Sequence, residues 1–268
     1  MYRWIYTQFI NDDIFLNLIL HFGSMFGEDN ISYLSYGFHD RKSGYTEHKR
    51  ILIGKERVHE VEEALVIYNT NVLSFRISSF SLNGSISAYC SDKVDSINLV
   101  ETGNSPLDDG YWRIRVPFGV FSGTITINER ILFLSAIIYQ DEQWGICPLL
   151  LSIKEWTWAV VSERTRNIGF FSVLSRTGKA KRYKWQCSES DFISTLSTEY
   201  DYLFSSLLQK KESPVSIDNL PYSINYLKAL RQRNQEVHGT HLFNYYRYLL
   251  MDYEINRITG VCELMSVN

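Results

Sequence analysis

Short runs of apolar and polar residues, typical of β-strands, occupy the chain from about residue 72 to residue 139. Some of them alternate residue by residue, and others are β-branched or wholly apolar, as strands buried on both faces are. The runs are 72–77, 81–89, 111–116, 124–127 and 131–139. Breaks rich in glycine, proline and aspartate separate them, and Asn83-Gly84 is a hairpin-type turn signal. The pattern predicts an antiparallel sheet.

The flanking N-terminal regions are less uniform. Apolar residues from Ile14 to Phe22 recur at helical spacing, which predicts a helix with Asp12 or Asp13 as its N-cap. Helix and strand are both possible for residues 58–68. Residues 148–184 are ambiguous, since the spacing of Ile153, Trp156 and Val160 is helical whereas 168–174 has a strand-like composition.

After Trp185 the spacing becomes helical. Ser188 and Asp191 have the spacing of a capping box, and an apolar stripe from Phe192 to Leu208 follows. Two further helices are predicted, one from about Pro221 and one after Gly239. The sequence therefore predicts an α+β protein. Residues 1–186 would form a mixed, β-rich antiparallel domain, a possible sensor or binding domain, and residues 187–268 a helical segment.

Composition narrows the class of protein. The 268 residues are 45% hydrophobic and 21% charged, as in globular domains with a real core. A net charge of -3 gives no whole-surface attraction to nucleic acid, so any RNA contact would need a local patch. The four cysteines lack C-x-x-C spacing, and neither a signal peptide nor a bilayer-spanning run is apparent. These features predict a cytoplasmic protein that does not contact membranes.

One short motif near the C-terminus carries candidate chemistry. Arg233 is followed directly by Asn234 and, five residues on, by His238, at the junction of two predicted helices. A guanidinium can hold a phosphate through paired N–H bonds, and an imidazole can transfer a proton near neutral pH. The alternative is that Arg233 and His238 only cap and bridge neighbouring helices, with Glu236 as a partner.

The Arg-Asn-x-x-x-His pattern resembles that of the HEPN superfamily, helical-bundle ribonucleases and RNA-binding modules of bacterial toxin–antitoxin and antiviral defence systems. The resemblance covers the last eighty or so residues, and only the heptapeptide from Arg233 to Gly239 is specific. It implies that Arg233 and His238 are catalytic, that Asn234 supports the site, and that two motifs face each other across a dimer without a metal.

A basic segment supplies a second candidate contact with RNA. Arg176, Lys179, Lys181, Arg182 and Lys184 lie within ten residues that end on Tyr183 and Trp185. Phosphate neutralisation and base stacking are what such a patch offers to RNA. A solvated hairpin turn around Gly178 is the alternative explanation.

Together these features predict a metal-independent endoribonuclease of a bacterial or phage defence system. The 2′-oxygen of the RNA would attack the neighbouring phosphorus, and this transesterification would use Arg233 and His238 with no cofactor and no metal. RNA is the expected ligand, and a protein partner or homodimer is expected as well. The alternative function is a non-catalytic interaction subunit of a multiprotein defence or mobile-element assembly.

Overall fold

Strands dominate the computed structural model, which describes residues 2–23, 32–65, 72–94, 97–100, 110–145, 152–197, 226–237, 240–252 and 257–267. Within these ranges the chain forms sixteen β-strands and one α-helix, arranged in two antiparallel sheets. The first sheet precedes residue 146 and the second follows residue 151.

The first sheet contains nine of the described strands. They are β1 (Tyr2–Ile10), β2 (Ile14–Gly23), β3 (Tyr33–Asp40), β4 (Thr46–Leu52), β5 (Val72–Ile77), β6 (Phe80–Tyr89), β7 (Ile97–Val100), β8 (Gly110–Ile127) and β9 (Arg130–Gly145). Their order is β4-β3-β2-β1-β9-β8-β6-β5, with β7 paired to one end of β8. Helix α1 (Val58–Leu65) lies between β4 and β5 in the chain and buries Val61 and Leu65.

The first sheet curls until its two edges meet. The rings of Tyr36 on β3 and Phe80 on β6 stack with centroids 4.9 Å apart, although these strands are far apart in the sheet order. Lys49 Nζ on β4 donates to Ser79 Oγ, in the turn between β5 and β6, at 3.0 Å. The curl encloses an apolar interior that includes Phe9, Phe121 and the buried residues of α1.

The second sheet contains seven of the described strands. They are β10 (Ile153–Glu163), β11 (Arg166–Ser175), β12 (Ala180–Ser188), β13 (Phe192–Ser197), β14 (Tyr226–Val237), β15 (Thr240–Asp252) and β16 (Arg257–Val267). Their order is β13-β12-β11-β10-β16-β15-β14. This sheet packs on the outer face of the first one, and residues of both share one aromatic core.

Alternation along β1 shows how the first sheet serves two cores. Tyr2, Trp4 and Tyr6 pack in the core shared with the second sheet, whereas Ile5 and Phe9 pack inside the curl. Because successive side chains of a strand point to opposite faces, one strand contributes to both cores. A strand that is buried on both faces needs apolar residues at nearly every position.

An irregularity in β8 anchors the sheets to each other. The pairing of β8 with β9 shifts between Ile114 and Val116 and again between Val116 and Gly119, so the region of Pro117 bulges. Asn167 Nδ2 on β11 donates to the Pro117 carbonyl at 2.9 Å and to the Ile138 carbonyl at 3.2 Å. The bulge thus leaves carbonyls available to a buried side chain of the other sheet.

The predicted α+β class is wrong: the described chain is a mostly β protein, without a helical C-terminal segment. The three predicted C-terminal helices correspond in part to β13, β14 and β15, and residues 198–225 lie outside the described ranges. The boundary predicted between residues 186 and 187 falls within β12. Apolar residues are dense enough in these segments to satisfy helical spacing and strand alternation alike, so the spacing did not discriminate.

Other local predictions divide similarly. The strands expected at 72–77, 81–89, 111–116, 124–127, 131–139 and 168–174 are confirmed, and 58–65 is helical. The helix expected from Ile14 is wrong, because this segment is β2. The turn at Asn83-Gly84 is also wrong, since both residues lie inside β6. Ser188 and Asp191 close the β12–β13 turn, where the Ser188 N–H donates to the Asp191 carbonyl at 2.9 Å.

Candidate binding site between the two sheets

Strand register places polar side chains in the aromatic core between the sheets. Asp141 on β9 pairs with Tyr6 on β1 and with Ile114 on β8, so it shares their face, which is turned to the second sheet. From the opposite sheet, Glu263 on β16 pairs with Trp158 on β10, whose ring lies in the same core. Two carboxyl groups from different sheets therefore approach one another.

Asp141 is the most unusual group of this core. Only 3% of its surface is exposed, and its Oδ2 accepts a hydrogen bond from the Tyr139 hydroxyl at 2.7 Å. Burial disfavours the carboxylate and, with smaller contributions from the charges of Glu263 and Glu142, raises the pKa of Asp141 to about 7, against lowering by the Tyr139 hydrogen bond. Asp141 therefore changes protonation close to neutral pH.

Tyr139 is fully buried beside Asp141. Burial and the neighbouring carboxylate raise the pKa of Tyr139 well above its usual value, so the phenol stays protonated and remains a donor. Its ring stacks on Trp185 with centroids 5.3 Å apart and planes 9° apart, and its centroid lies 5.8 Å from that of Trp158. The phenol thus connects the carboxyl group to the indoles of the second sheet.

Four buried indoles in this core have N–H groups that lack a hydrogen-bond partner of standard geometry within the described chain. They belong to Trp112, Trp156, Trp158 and Trp185. The Trp112 N–H approaches Asp141 closely enough to lower the pKa of that carboxyl group, and the Trp158 N–H lowers the pKa of Tyr139 in the same way. A buried donor without a partner is destabilising, so a cluster of them indicates a place where an acceptor can bind.

Amide and hydroxyl groups extend the polar part of the core. Gln8 Oε1 accepts from the Tyr6 hydroxyl at 3.1 Å, and Gln8 Nε2 donates across the sheets to Ser162 Oγ at 3.4 Å. Gln143 pairs with Trp4 and Trp112, and its buried Oε1 has no hydrogen-bond partner in the ranges the structure covers. The core therefore offers acceptors as well as donors, between aromatic walls.

The residue after Asp141 has a different environment, because it faces the inside of the curl. Glu142 forms ion pairs with Arg3 and Arg115, and the distance from Arg115 Nε to Glu142 Oε2 is 2.7 Å. Arg3 also pairs with Glu62 on α1, while Gln140 Nε2 donates to the Leu65 carbonyl at 2.7 Å. This network joins α1 to β1, β8 and β9 and thereby stabilises the fold.

Two of the three predicted ribonuclease residues lie in a β-strand of the second sheet. Arg233 and Asn234 are in β14, where they pair with Tyr245 and Asn244 of β15, and His238 lies outside the described residues. The helix junction that was expected to present the motif is therefore absent from the described part of this region. The catalytic roles of Arg233, Asn234 and His238 stay a prediction.

The predicted RNA-binding residues lie on a hairpin of the same sheet. Lys181, Arg182 and Lys184 are in β12, and Arg176 and Lys179 are in the turn before it. Strands β11, β10, β16 and β15 separate β12 from β14, so the two groups are not neighbours in the sheet. Strand pairing nevertheless places the β11–β12 turn and the C-terminal end of β14 at the same end of the sheet.

Two histidines that lie near carboxylates in the sequence, His39 and His59, contact other side chains. His39 Nδ1 lies 2.8 Å from Thr46 Oγ1, and His59 Nε2 lies 3.5 Å from Glu63 Oε1 on α1. In the part of the chain that the structure describes, no group of three or more His, Cys, Asp or Glu is placed to hold a metal ion. None of the described helices has the length and apolar character needed to cross a bilayer.

Sequence reasoning overlooked the Asp141 site, although a signal for it exists. The apolar run 131–139 is followed directly by Gln140-Asp141-Glu142-Gln143, and β9 continues through this polar stretch to Gly145. Consecutive polar residues at the end of a buried strand suggest a loop, and only the pairing with β1 and β8 shows that all four are buried.

Comparison with solved structures defines the class of the fold. A protein assigned as AttH from Nitrosomonas europaea superposes with a TM-score of 0.53 and 12% identity, over 98% of this chain and 91% of the other. The structure of CghA with Sch210972 gives a TM-score of 0.51 and 6% identity, over 100% and 88%. A second crystal structure of CghA gives a TM-score of 0.50 and 7% identity.

These similarities show that the chain shares its overall fold with these two proteins. At such low identity they extend to the fold alone. No protein-family model matches the sequence, and no curated protein is similar enough in sequence to count as a relative.

Proposed function

We propose that this protein binds a small, largely apolar molecule that carries a hydrogen-bond-accepting oxygen, and that it does so between its two sheets. The observation that carries the proposal is the pair Tyr139–Asp141, buried among four indoles whose N–H groups form no hydrogen bond of standard geometry within the described residues. Ligand sites of this kind combine apolar walls with a few convergent polar groups, and titratable groups with displaced pKa values cluster at functional sites.

The chemistry of the lining specifies the ligand. Indole N–H groups only donate, so they select a carbonyl, ether or enolate oxygen. Aromatic rings, including Trp112 stacked on Phe171 with centroids 5.1 Å apart, favour flat apolar groups. Asp141 can donate when protonated and accept when ionised, and this change occurs near pH 7. CghA, a protein with a similar fold, was crystallised with the small molecule Sch210972, which agrees with this use of the fold.

A matched pair of probes tests the proposal. 2-Acetylnaphthalene and 2-ethylnaphthalene have nearly the same shape, but only the ketone has an acceptor oxygen. Calorimetric titration should show that the ketone binds about 2- to 13-fold more tightly, the ratio expected for one hydrogen bond of about 0.5–1.5 kcal/mol. Trp158→Phe, which removes one indole N–H, should reduce this preference.

Trp144→Phe is the matched control. Trp144 stacks on Tyr111 with centroids 5.6 Å apart and lies on the opposite face of β9 from Asp141. It should leave the preference unchanged. Equal binding of the two probes would contradict recognition of the oxygen, and failure of both to bind up to their solubility limit would contradict a site for molecules of this size.

RNA cleavage by Arg233 and His238 is a second candidate, and one observation favours it. The C-terminal end of β14, which follows Arg233, and the basic turn before β12 lie at the same end of the second sheet. An RNA strand held by Arg176, Lys179 and Lys181 would extend along that end. The mechanism would need no metal, since a guanidinium stabilises the phosphoryl oxygens and an imidazole transfers the proton.

Induced expression separates this candidate from the others. Wild type should slow growth and fragment total RNA in a manner that EDTA does not prevent in lysates, while Arg233→Ala and His238→Ala should not. Arg231→Ala, which changes an arginine of the same strand, is the control and should behave as wild type. Intact RNA and equal growth for all variants would contradict cleavage and favour the non-catalytic interaction subunit.

A further inference from the structure

Two cysteines meet where the edge region of the first sheet contacts the second sheet. Cys90 directly follows β6, and Cys187 lies near the end of β12. Their sulfur atoms approach the same acceptor: Cys90 Sγ is 3.8 Å and Cys187 Sγ is 3.3 Å from the Ser188 carbonyl oxygen. Both are free thiols. Residues that are far apart in sequence are thus brought together by the packing of the sheets.

The surroundings of the pair fix it in place. Lys93 Nζ, from the short 3-10 turn after Cys90, donates to the Ser190 carbonyl beyond β12 at 3.2 Å. Cys90 itself adopts a left-handed backbone conformation, with φ of 55°, which is uncommon for a residue other than glycine. The local backbone is therefore held by contacts between the sheets and keeps the two sulfurs close.

The two thiols differ in accessibility, and the surroundings of Cys187 change its acidity. Cys90 is half-buried, whereas Cys187 is fully buried. Burial, followed by the neighbouring Cys90 thiol, raises the pKa of Cys187, although Lys93 acts in the opposite direction. Thiolates are the nucleophiles in disulfide exchange. Because Cys90 is the more accessible of the two residues, a dissolved reagent meets it first.

We propose that Cys90 and Cys187 form a redox-active pair that accepts oxidation by small disulfides such as glutathione disulfide and closes a bond between the two sheets. The Cys90 thiolate attacks one sulfur of glutathione disulfide, which forms a mixed disulfide and releases one glutathione thiolate. The Cys187 sulfur then attacks Cys90 Sγ, loses its proton to the departing thiolate, and releases a second glutathione. Two protein thiols are oxidised, and one disulfide is reduced to two thiols.

The product should be detectable by mass and by stability. After incubation of the folded protein with glutathione disulfide, two of its four thiols should become unreactive, and non-reducing peptide mapping should find Cys90 joined to Cys187. A bond that closes a loop of about 100 residues restricts the unfolded chain strongly. The thermal midpoint should therefore rise by several degrees and return to its initial value with dithiothreitol.

Three variants test the order of the steps. Cys187→Ser should stop at a glutathione adduct on Cys90, and Cys90→Ser should leave Cys187 reduced. Cys262→Ser, which removes another buried thiol, should form the same bond as wild type. Circular dichroism spectra of the reduced variants would exclude misfolding as the cause. The proposal is overturned if wild type retains four reactive thiols, accumulates the mixed adduct alone, or links other cysteines or separate chains.

Discussion

Asp141 and Glu142 are consecutive buried carboxyl groups on opposite faces of one strand, and the protein treats them differently. Glu142, inside the curl of the first sheet, has two arginine partners. Asp141, between the sheets, has a phenol as its hydrogen-bond donor and a second carboxyl group, Glu263, close by. The first arrangement neutralises a charge, and the second makes the charge unfavourable.

The contrast separates the Glu142 network, which stabilises the fold, from the Asp141 face, where we propose that a ligand binds. A buried ion pair needs nothing further once its geometry is complete. A carboxyl group that titrates near pH 7, set among indole N–H groups that form no standard hydrogen bond within the described residues, leaves interactions available to another molecule. Substitutions on the two faces of β9 should therefore have different signatures.

The largest effect is expected from Glu142→Ala. Removing this side chain leaves the Arg115 guanidinium, about 7% exposed, without its carboxylate partner. Breaking a buried pair from one side typically lowers the free energy of unfolding by about 3–5 kcal/mol. Denaturant titration at pH 7 measures the change.

Asp13→Ala is the control for charge removal. Asp13 pairs with Arg41 and Lys42 at the surface, where an ion pair contributes about 0–1 kcal/mol. A loss below about 1 kcal/mol for Glu142→Ala would mean that water or Glu62 compensates Arg115, and the inner network would then not be the rigid counterpart of the Asp141 face.

Asp141→Asn should have a smaller effect whose size depends on pH. The pKa of Asp141 is raised on folding from its ordinary value of 3.8 to about 7, so its contribution to stability is fully present below about pH 4 and is lost as the pH rises to about 7. Three units correspond to at most about 4 kcal/mol. Asparagine stays neutral and can still accept from Tyr139, so the variant should gain stability relative to wild type as the pH rises.

Urea titrations at pH 5 and pH 8 measure this difference directly. Wild type should lose more stability than Asp141→Asn between the two values, because only wild type must ionise a buried carboxyl group or keep it protonated against the solvent pH. The same difference at both pH values would show that the pKa of Asp141 is not raised, and would remove the main argument for a binding site on this face.

Strands β5, β6, β8 and β9 of the first sheet could be predicted from the sequence, whereas its other strands and this contrast could not. Strand β5 has one largely exposed and one buried face, and the Tyr111–Val116 part of β8 begins with half-buried and buried residues in alternation. Their alternation is visible in the sequence. Segments β2 and β10 are buried on both faces, so their nearly continuous apolar residues also fit helical spacing. The site depends on strand pairing over more than a hundred residues, as between Tyr6 and Asp141, which no local pattern contains.

Gly169→Ala should disturb the wall of the inter-sheet core by an intermediate amount. A Cβ atom on Gly169 would lie 2.0 Å from Cε2 of the Trp185 indole, which is stacked on Tyr139 and cannot move freely. Overpacking of this kind typically lowers stability by about 1–3 kcal/mol. Thermal unfolding, together with the tryptophan emission spectrum, measures the loss of stability and the displacement of the indole.

Gly54→Ala is the matched control for this clash. A Cβ there would lie 2.1 Å from Glu56 Oε1, but that carboxylate is the end of an exposed side chain and can rotate away. The control should change stability by less than about 1 kcal/mol. If both alanine variants behave alike, the Trp185–Tyr139 stack is loose, and the aromatic wall is not preformed for a ligand.

Trp158→Phe is expected to have the smallest effect on stability, although Trp158 is only 5% exposed. The substitution reduces buried aromatic area, but it also removes an N–H group that has no standard hydrogen bond within the described chain. These contributions have opposite signs, so the free energy of unfolding should change by less than about 1 kcal/mol. Denaturant titration measures it, with Trp144→Phe as the reference from the other face. A loss of 2 kcal/mol or more, on the order of a buried hydrogen bond together with lost packing, would show that the Trp158 N–H is already satisfied by Tyr139 and is not available to a ligand.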